Sequence, residues 1–433
     1  MPRARAKGIR PARRACKPLQ SVFYVLLFLL LGFTTVLAFS YALGFADGLW
    51  SLYSRLYLYL MLGYTWFVLV LVCIDDFRDK TYPAYAGERI TVIIPCYNES
   101  PALLKRSIAS VIAAEGNKQI CIIDDGSTTK VRPMLKALAK RKGIRVHFFD
   151  RNRGKREALH YAVTNLLDDS PFVITIDSDT VLDKYALVRV VEPLKHPDIA
   201  AATGDVQLLN EEQNTLTKMI GAYYWIGLNV YKKAQSALGM VVCCSGCLAA
   251  YRSDVLRANI EAFVKQQFFG ERCTHSEDRH LTNLVLQRDY DVVYVPAAIS
   301  HTETPATVRG FLKQQQRWKR GYTRECLYTL SYAWRNRPLL FFQILCWDLT
   351  IPFFSFGLML ALLATLVTRP GTFLFVLVPS WALCMLIRNI PVLFHGRGKI
   401  KGLLLYMFFY EFFLYWQSIY ALFTVRNKSW ITR

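Results

Sequence analysis

The chain lacks a cysteine framework of the kind that holds small secreted or zinc-bound domains together. Its 11 cysteines are scattered, and the zinc-like pair Cys244 and Cys247 has no second pair that would complete four ligands. We therefore expect mostly free thiols in a reducing compartment. The first apolar run is too long for a cleavable signal peptide and has no convincing cleavage site, so none is expected.

Acidic residues are also scarce. Against 53 Lys and Arg there are only 32 Asp and Glu, which leaves a net charge of +21. A charge of this size suits an anionic partner such as a membrane surface, an acidic polymer, a nucleotide sugar or nucleic acid. Much of the basic charge flanks apolar segments, so nucleic acid is the weakest of these candidates and is not expected to bind.

Long apolar runs lie near both ends of the chain, and hydrophobic residues make up 53% of it. Residues 19–45 and 56–74 each supply the roughly 20 apolar residues that cross a bilayer core of about 30 Å. We predict two transmembrane helices within 19–74. The basic segment 1–18 precedes them, which predicts a cytosolic N-terminus.

A C-terminal membrane region is predicted over 338–424, with apolar stretches at 338–366, 372–393 and 402–424. The last stretch is expected to dip into the membrane and return, or to lie in the interface, because this keeps the basic tail 425–433 in the cytosol. These segments predict a multi-pass protein of the cell membrane. Two ionisable residues inside the stretches are candidates for a translocation path or for polar contacts between helices: Asp348 and Glu411.

Residues 80–306 have the pattern of a cytosolic domain in which strands and helices alternate. The predicted strands are 89–95, 119–125, 145–149 and 172–177, and the helices between them are 101–115, 131–142 and 155–167. This alternation predicts parallel βαβ units and an α/β fold. Ligands bind such sheets outside the carboxyl ends of the strands, where three polar clusters of this sequence fall.

Two of these clusters suit a nucleotide. Tyr97 and Glu99 follow the first strand and could hold a base, although residues of this kind also begin helices. Asp124 and Asp125 follow the second strand and could bind a ribose or a uracil, or could form a common turn.

The third cluster suits a metal ion. Asp177 and Asp179 follow the fourth strand, and two close carboxylates bind Mg²⁺ or Mn²⁺, hard ions that prefer oxygen ligands. Lys155 and Arg156 begin the preceding helix, where backbone N–H groups favour phosphate. The alternative for the two basic residues is a solvated turn.

Glu277, Asp278 and Arg279 begin another predicted helix, with Ser276 as its N-cap. The acidic pair could simply stabilise the helix start. In the functional interpretation, Asp278 is a general base that deprotonates a hydroxyl, and Arg279 orients it or balances its charge.

Residues 307–337 combine eight Lys and Arg with aromatic side chains, which predicts amphipathic helices on the cytosolic membrane face. Gln314, Arg317 and Trp318 form a Gln-x-x-Arg-Trp motif within them. Trp318 could stack on an acceptor sugar, and Gln314 and Arg317 could hold the acceptor or a diphosphate. An ordinary aromatic and basic interfacial helix is the alternative.

The order of these motifs, over roughly 88–335, resembles that of membrane-integrated, processive family-2 glycosyltransferases. The resemblance is strongest to hyaluronan synthases and to the nodulation chitin-oligosaccharide synthase. It implies an α/β glycosyltransferase A-type cytosolic domain, an all-α transmembrane region that forms a translocation channel, and amphipathic interfacial helices. It assigns Asp177 and Asp179 to the metal and Asp278 to the role of catalytic base. The residues that it assigns to the nucleotide site are Tyr97, Glu99, Asp125 and Lys155.

The resemblance extends to three further segments. Ser245-Gly246-Cys247 resembles the loop that lines the acceptor, with Cys247 where the family has proline. Asp205 lies in a stretch similar to hyaluronan synthases, which implies a place near the acceptor and channel entrance. Trp430-Ile431-Thr432-Arg433 resembles a gating segment that contacts nucleotide, with isoleucine where the family has glycine.

The activity that this resemblance implies is inverting, UDP-sugar-dependent transfer with Mn²⁺ or Mg²⁺. Hyaluronan, made from UDP-N-acetylglucosamine and UDP-glucuronate and secreted through the enzyme's own channel, is the favoured product. The alternative is a chitin or chitin-oligosaccharide synthase that uses UDP-N-acetylglucosamine only. Other classes are a transporter or scaffold with a degenerate enzyme domain, and a lipid-linked sugar transferase. Expected partners are UDP-sugars, the growing polysaccharide and membrane lipids, with no protein partner.

Overall fold

The computed structural model describes residues 63–76, 81–350, 363–372 and 399–426. No helix within these ranges is both long and apolar enough to cross a membrane. The predicted spans 19–45 and 372–393 lie almost wholly outside the described residues. The gating-like residues Trp430, Thr432 and Arg433 lie outside them as well.

The core of the described part is one large sheet. Its strands and those of a separate hairpin are β1 Ile90–Cys96, β2 Lys118–Asp124, β3 Ile144–Phe148, β4 Phe172–Thr175, β5 Val181–Leu182, β6 Ile199–Leu208, β7 Ala249–Arg252, β8 Gln267–Phe268, β9 Glu271–Arg272 and β10 Asp291–Thr302. Within the described ranges, the sheet has eight strands in the order β3-β2-β1-β4-β7-β6-β10-β5, and β8 pairs with β9. The four predicted strands correspond to β1–β4.

The sheet is mixed, and it contains the predicted parallel βαβ units together with antiparallel strands that the sequence did not predict. β1 pairs in parallel with β2 and β4, and β2 with β3, as predicted. β7, however, lies antiparallel between β4 and β6, and β5 lies antiparallel to β10. Every residue of β1 is buried, as in strands whose two faces are both covered.

Helices cover both faces of the sheet. They are α1 Pro101–Ala113, α2 Arg132–Leu138, α3 Lys155–Tyr161, α4 Ala186–Val191, α5 Thr215–Ile226, α6 Lys233–Ala237, α7 Ser253–Val264, α8 Glu277–Gln287, α9 Val308–Asn336, α10 Pro338–Phe342, α11 Pro370–Thr372, α12 Ile400–Phe409 and α13 Tyr415–Phe423. Four π-helical turns in the described ranges lengthen or join some of these helices: Ala162–Leu166, Gly227–Lys232, Gln343–Thr350 and Tyr410–Leu414. Residues 63–76 and 363–368 are also helical.

The two faces of the sheet carry separate apolar clusters because successive strand residues point to opposite sides. In β1, Ile93 packs into one cluster with Val173, Leu159 and Phe263. Its neighbour Ile94 packs into the other cluster, with Leu104 of α1 among the residues around it. The sheet is therefore buried between helices, and its polar strand ends are left as the accessible edge.

Residues 307–337 form one long helix, α9, rather than several surface helices. Thr307 caps it by accepting a hydrogen bond from the Gly310 N–H. Polar side chains of α9 are buried against protein, Glu325 completely and Gln315 and Arg324 almost so. The location of this segment on the cytosolic membrane face stays a prediction, and the burial of these groups requires protein partners on one side of the helix.

The C-terminal helices pack onto this framework. Tyr406 of α12 and Leu414 join an apolar cluster with Met219 of α5 and Phe311 of α9. The Tyr406 ring stacks on Tyr223, with centroids 4.5 Å apart. α9 therefore has α8 on one side and the C-terminal helices on another.

Candidate active site

The loop after β4 places the predicted metal motif at the carboxyl end of the sheet. The backbone N–H of Asp177 donates to the carbonyl of Gly246, 2.9 Å away. Ser178 donates to Glu99 Oε2 at 3.1 Å. These bonds connect the metal motif to the acceptor-like loop and to the loop after β1.

Lys155, which was predicted to bind phosphate, contacts both the predicted metal motif and the predicted acidic pair. Its Nζ lies 2.5 Å from Asp177 Oδ1 and 2.8 Å from Glu277 Oε1. Burial lowers the pKa of Lys155, but the two carboxylates outweigh burial and raise this pKa well above its ordinary value. Lys155 therefore stays charged and neutralises part of an acidic centre.

Glu277 and Asp278 are adjacent carboxyl groups whose pKa values move in opposite directions. Burial tends to raise the pKa of Glu277, but the neighbouring Lys155 ammonium overrides burial and lowers it. Burial raises the pKa of Asp278, and the Glu277 charge raises it further. Because the two pKa values are separated in this way, Glu277 keeps its negative charge and Asp278 is the group that can accept a proton.

Two donors hold the Asp278 carboxylate. The Arg279 backbone N–H donates to Oδ1 at 2.8 Å, and the Cys243 thiol lies 3.5 Å from Oδ2. The Arg279 side chain points elsewhere, with its guanidinium carbon 3.9 Å from the Tyr322 ring centroid. The prediction that the Arg279 side chain orients Asp278 is therefore wrong.

The start of α8 also differs from the prediction. Ser276 occupies the position before the helix, but its φ is 59° and its side chain makes no capping hydrogen bond. The left-handed conformation at a serine is uncommon and makes the tight turn that presents the next two carboxylates. Ser276 therefore acts through its backbone, and its predicted role as a side-chain N-cap is wrong.

The loop Ser245-Gly246-Cys247 lies against this centre. Lys232 Nζ is 2.6 Å from Ser245 Oγ, and the Ser245 N–H donates to Thr203 Oγ1 at 3.1 Å. Burial raises the pKa of Cys247, and the nearby Asp177 charge raises it further. Cys247 is therefore a protonated thiol that lies close to the metal motif.

At the predicted nucleotide edge, acidic side chains organise loops. Asp125 accepts hydrogen bonds from the backbone N–H groups of Arg153 at 2.7 Å and Gly154 at 2.9 Å. Asp124 is buried and bonds Arg132 Nε at 2.9 Å. These contacts shape the turn that leads to Lys155, while Tyr97 remains 38% exposed at the same edge.

Arg156 does not line this edge, contrary to the prediction. Its guanidinium is buried and donates to the carbonyl of Phe263 at 2.9 Å and to Gln266 Oε1 at 2.6 Å. The physical reason is the helical geometry of α3, which directs consecutive residues about 100° apart. Lys155 therefore faces the centre, and Arg156 faces the core.

Trp318 of the Gln-x-x-Arg-Trp motif lies near the acceptor-like loop through Tyr224. The two ring centroids are 6.3 Å apart. Tyr224 and Cys247 pack against the same apolar cluster, and burial raises the pKa of Tyr224 well above its ordinary value. Gln314 Oε1 is buried and finds no hydrogen-bond partner within the described part of the chain.

Asp205 lies on β6, and both oxygens of its carboxylate accept hydrogen bonds from side chains of the sheet. Its Oδ1 accepts from the Tyr294 hydroxyl at 2.8 Å, and its Oδ2 accepts from Gln207 Nε2 at 3.2 Å. Its predicted place at the acceptor entrance stays a prediction, and these bonds indicate a supporting role beneath the loop instead.

Comparison with known proteins identifies the family. A sequence profile described as Glycosyl transferase family 2 matches residues 91–259. An N-acetylglucosaminyltransferase of Mesorhizobium japonicum is 30% identical over 355 residues, which cover 79% of this chain and 81% of that relative. The chain belongs to glycosyltransferase family 2. A second N-acetylglucosaminyltransferase, from Bradyrhizobium diazoefficiens, is 34% identical over 253 residues, 58% of this chain and 51% of that relative.

A solved structure shows the fold of this family-2 glycosyltransferase. A mannosyltransferase from Pyrobaculum calidifontis, in complex with GDP-Man and Mn²⁺, superposes with a TM-score of 0.60 at 16% identity. The match covers 86% of this chain and 96% of that protein. The chain therefore has the glycosyltransferase A-type α/β fold predicted from the sequence.

The chemistry of the carboxylates of this glycosyltransferase suits a divalent ion. In residues 63–76, 81–350, 363–372 and 399–426, no group of three or more His, Cys, Asp and Glu side chains could hold a metal alone. Asp177 and Asp179 supply hard oxygen ligands, and a donor diphosphate would supply others. The Lys155 ammonium at Asp177 indicates that this carboxylate is placed to accept positive charge.

Three residues at this centre carry no recognisable sequence motif: Tyr224, Lys232 and Cys243. Tyr224 and Lys232 are eight residues apart on one helical run, so they lie on the same side of it. That spacing, together with the Cys243 position just before the acceptor-like loop, is the sequence signal that could have identified them.

We expect Gly246→Ala to reduce the turnover of this glycosyltransferase on the order of 10²-fold, because small displacements of a reacting centre are costly. An added Cβ would lie 2.7 Å from Asp177 Oδ2 and 3.0 Å from Lys155 Nζ. Steady-state release of the nucleoside diphosphate measures the effect. Gly227→Ala is the matched control, because its Cβ meets nothing within 4 Å and turnover should not change.

The pH dependence of turnover should report Asp278. A base acts in its unprotonated form, so the rate falls as pH falls through its pKa, and that pKa is raised above 3.8. Removing the adjacent charge with Glu277→Gln should therefore move the acid limb of the kcat–pH profile to lower pH. An acid limb that stays in place, or moves to higher pH, would contradict this coupling.

Proposed function

We propose that this enzyme polymerises N-acetylglucosamine from UDP-N-acetylglucosamine, as a chitin-oligosaccharide type of synthase. The observation that carries the proposal is the meeting of Asp278, Glu277, Lys155, Asp177 and the Gly246 loop at one edge of the sheet. The names of the relatives, N-acetylglucosaminyltransferase, support this sugar over the hyaluronan interpretation.

In this proposal Asp278 removes the proton from an acceptor hydroxyl, and the oxygen attacks the donor's anomeric carbon. The bond from that carbon to the diphosphate breaks on the opposite side, which inverts the configuration. Lys155 holds positive charge beside Asp177, so it favours binding of the anionic donor next to the base. A Mn²⁺ or Mg²⁺ ion on Asp177 and Asp179 would supply charge stabilisation for the departing nucleoside diphosphate.

The acceptor is proposed to lie between the Gly246 loop and Trp318. The Trp318 ring, close to that of Tyr224, offers an apolar face to a sugar ring. The buried Gln314 Oε1, without a partner in the described residues, offers an acceptor for a sugar hydroxyl.

A membrane location is part of the proposal. Large apolar side chains are exposed on the described pieces of the predicted membrane segments, with Val367 83% exposed and Phe423 84% exposed. Exposed apolar surface of this kind suits contact with lipid. We infer a multi-pass protein with the catalytic domain 80–306 in the cytosol and a polymer channel formed by 19–74 and 338–424.

The test is a donor panel with the purified full-length protein. UDP release and product are measured with UDP-N-acetylglucosamine, UDP-glucuronate or both, in Mg²⁺ or Mn²⁺. Sustained release from UDP-N-acetylglucosamine alone, with a product cut by chitinase, is expected. Polymer that needs both donors and is degraded by hyaluronidase would instead make the enzyme a hyaluronan synthase, which the stretches Gly204–Gln207 and Glu277–Asn283 resemble.

A further inference from the structure

A cleft that the transfer reaction does not use lies beside α8. It is bounded by the β8–β9 hairpin, the loop before α8, α9 and the residues that follow α13. The side chains that decide its chemistry are Arg272, Arg324, Arg426, His275 and Glu271.

Positive charge dominates this cleft. Arg272 is paired with Glu157, and Arg324 Nε lies 3.3 Å from Glu325 Oε1. A guanidinium has five N–H donors, so one ion pair leaves further donors for a ligand. The Arg426 guanidinium carbon lies 4.7 Å from the Phe269 ring centroid, at the tip of the hairpin.

His275 provides the second, independent indication of a ligand. The residue is 4% exposed, and its Nε2 has no hydrogen-bond partner in the described part of the chain. Burial lowers the pKa of His275 to about 4, and the Arg324 charge contributes to the shift. The ring is therefore neutral at pH 7, and a buried ring nitrogen without a partner costs free energy that a bound oxyanion could recover.

We propose that this cleft binds a phosphate group, with Arg272, Arg324 and Arg426 as cationic donors and His275 as a neutral donor. Guanidinium groups match the geometry of phosphate oxygens and often bind them through two parallel hydrogen bonds. Glu271 on the rim offsets one of the three positive charges, which still leaves the cleft with a net positive charge. Lys155 and Asp177 are not among the residues that line the cleft, and the proposal does not depend on which sugar is transferred.

Two sources of the phosphate are compatible with the surroundings. Phe269 lies beside Arg426 at the tip of the hairpin and is 68% exposed, as aromatic side chains at a lipid surface are. An anionic phospholipid headgroup could therefore enter it. A soluble phosphate compound could enter by the same opening.

The experiment is calorimetric titration of the full-length protein with inorganic phosphate at constant ionic strength. Saturating UDP and Mg²⁺ are present throughout so that the donor site is filled. Saturable phosphate binding is expected for the unmodified protein, weakened at least about tenfold in the double variant Arg272→Gln and Arg426→Gln. Arg335→Gln, an exposed arginine elsewhere on α9, should bind phosphate normally.

Three results would overturn the proposal: no saturable phosphate binding, equal binding by the double variant, or binding that a parallel titration without UDP shows and that is absent when UDP is present. Circular dichroism melting confirms that the double variant is folded. Turnover of UDP-N-acetylglucosamine is recorded in parallel, and its absence counts against the proposed function without affecting the phosphate result.

Thermal unfolding in phosphatidylglycerol and phosphatidylcholine nanodiscs distinguishes a lipid headgroup from a soluble phosphate compound. A higher melting temperature in phosphatidylglycerol, lost in the double variant and reduced by added phosphate, assigns the site to a lipid headgroup. Equal melting in both lipids, together with saturable phosphate binding, assigns it to a soluble phosphate compound. Both results support the anion site.

Discussion

Asp278→Asn is expected to lower kcat for sugar transfer by about 10²–10⁴-fold, the usual contribution of a general base. The amide keeps the shape of the carboxyl group and one acceptor oxygen for the Arg279 N–H, 2.8 Å away. It cannot take a proton from the acceptor hydroxyl. Donor binding should persist, because Lys155 still contacts Asp177 and Glu277.

The measurement pairs UDP release with calorimetric binding of UDP. Asp198→Asn is the matched control, because its carboxylate is 74% exposed and lies beside His196 on the surface. Full turnover by Asp278→Asn would remove Asp278 from the base role. Loss of UDP binding as well as turnover would point to a folding or donor-site defect and would also contradict the assignment.

Glu325→Ala is expected to destabilise the protein by about 3–5 kcal/mol, as removal of one member of a buried charged network does. Glu325 is fully buried. Burial tends to raise its pKa, but the His280 hydrogen bond and nearby positive charges lower the pKa to about 2. The carboxylate accepts from His280 Nδ1 at 3.1 Å, Asn283 Nδ2 at 3.1 Å and Gln266 Nε2 at 2.8 Å.

This network connects α9 to α8, so its loss should also loosen the helix that presents Asp278. Thermal unfolding of the full-length protein should show a melting temperature lower by on the order of 10 °C. Leu327→Ala, at a site 42% exposed on the same helix, is the control and should melt near the unmodified protein. Equal melting of the two variants would mean that the network contributes little.

The sequence predicted β1–β4 to within two residues because β1, β2 and β4 are mainly apolar runs and β3 alternates apolar and polar residues. The sequence did not predict β7. This strand, Ala249–Arg252, is short, contains two alanines and is stabilised by pairing with β4 and β6. The burial of α9 was missed for a related reason. A charged residue such as Glu325 looks like a surface residue until its partners on α8 are known.

In the candidate site, too, some features could be predicted from the sequence and others could not. The backbone positions of Asp177 and Asp278 follow from local sequence, because strand ends and helix starts can be predicted from neighbouring residues. The directions of Arg156 and Arg279 could not be predicted, since each depends on how its helix is rotated against the core. Cys243 contacts Asp278 across 35 residues of chain, a pairing that only the folded structure reveals.

The most direct test of one transfer centre at this sheet edge is an electron cryomicroscopy structure of the full-length protein with UDP and Mn²⁺. The account predicts the diphosphate beside Lys155, with the metal at Asp177 and Asp179 and the base Asp278 facing the Gly246 loop. UDP bound away from Lys155, or a metal held without either aspartate, would contradict it.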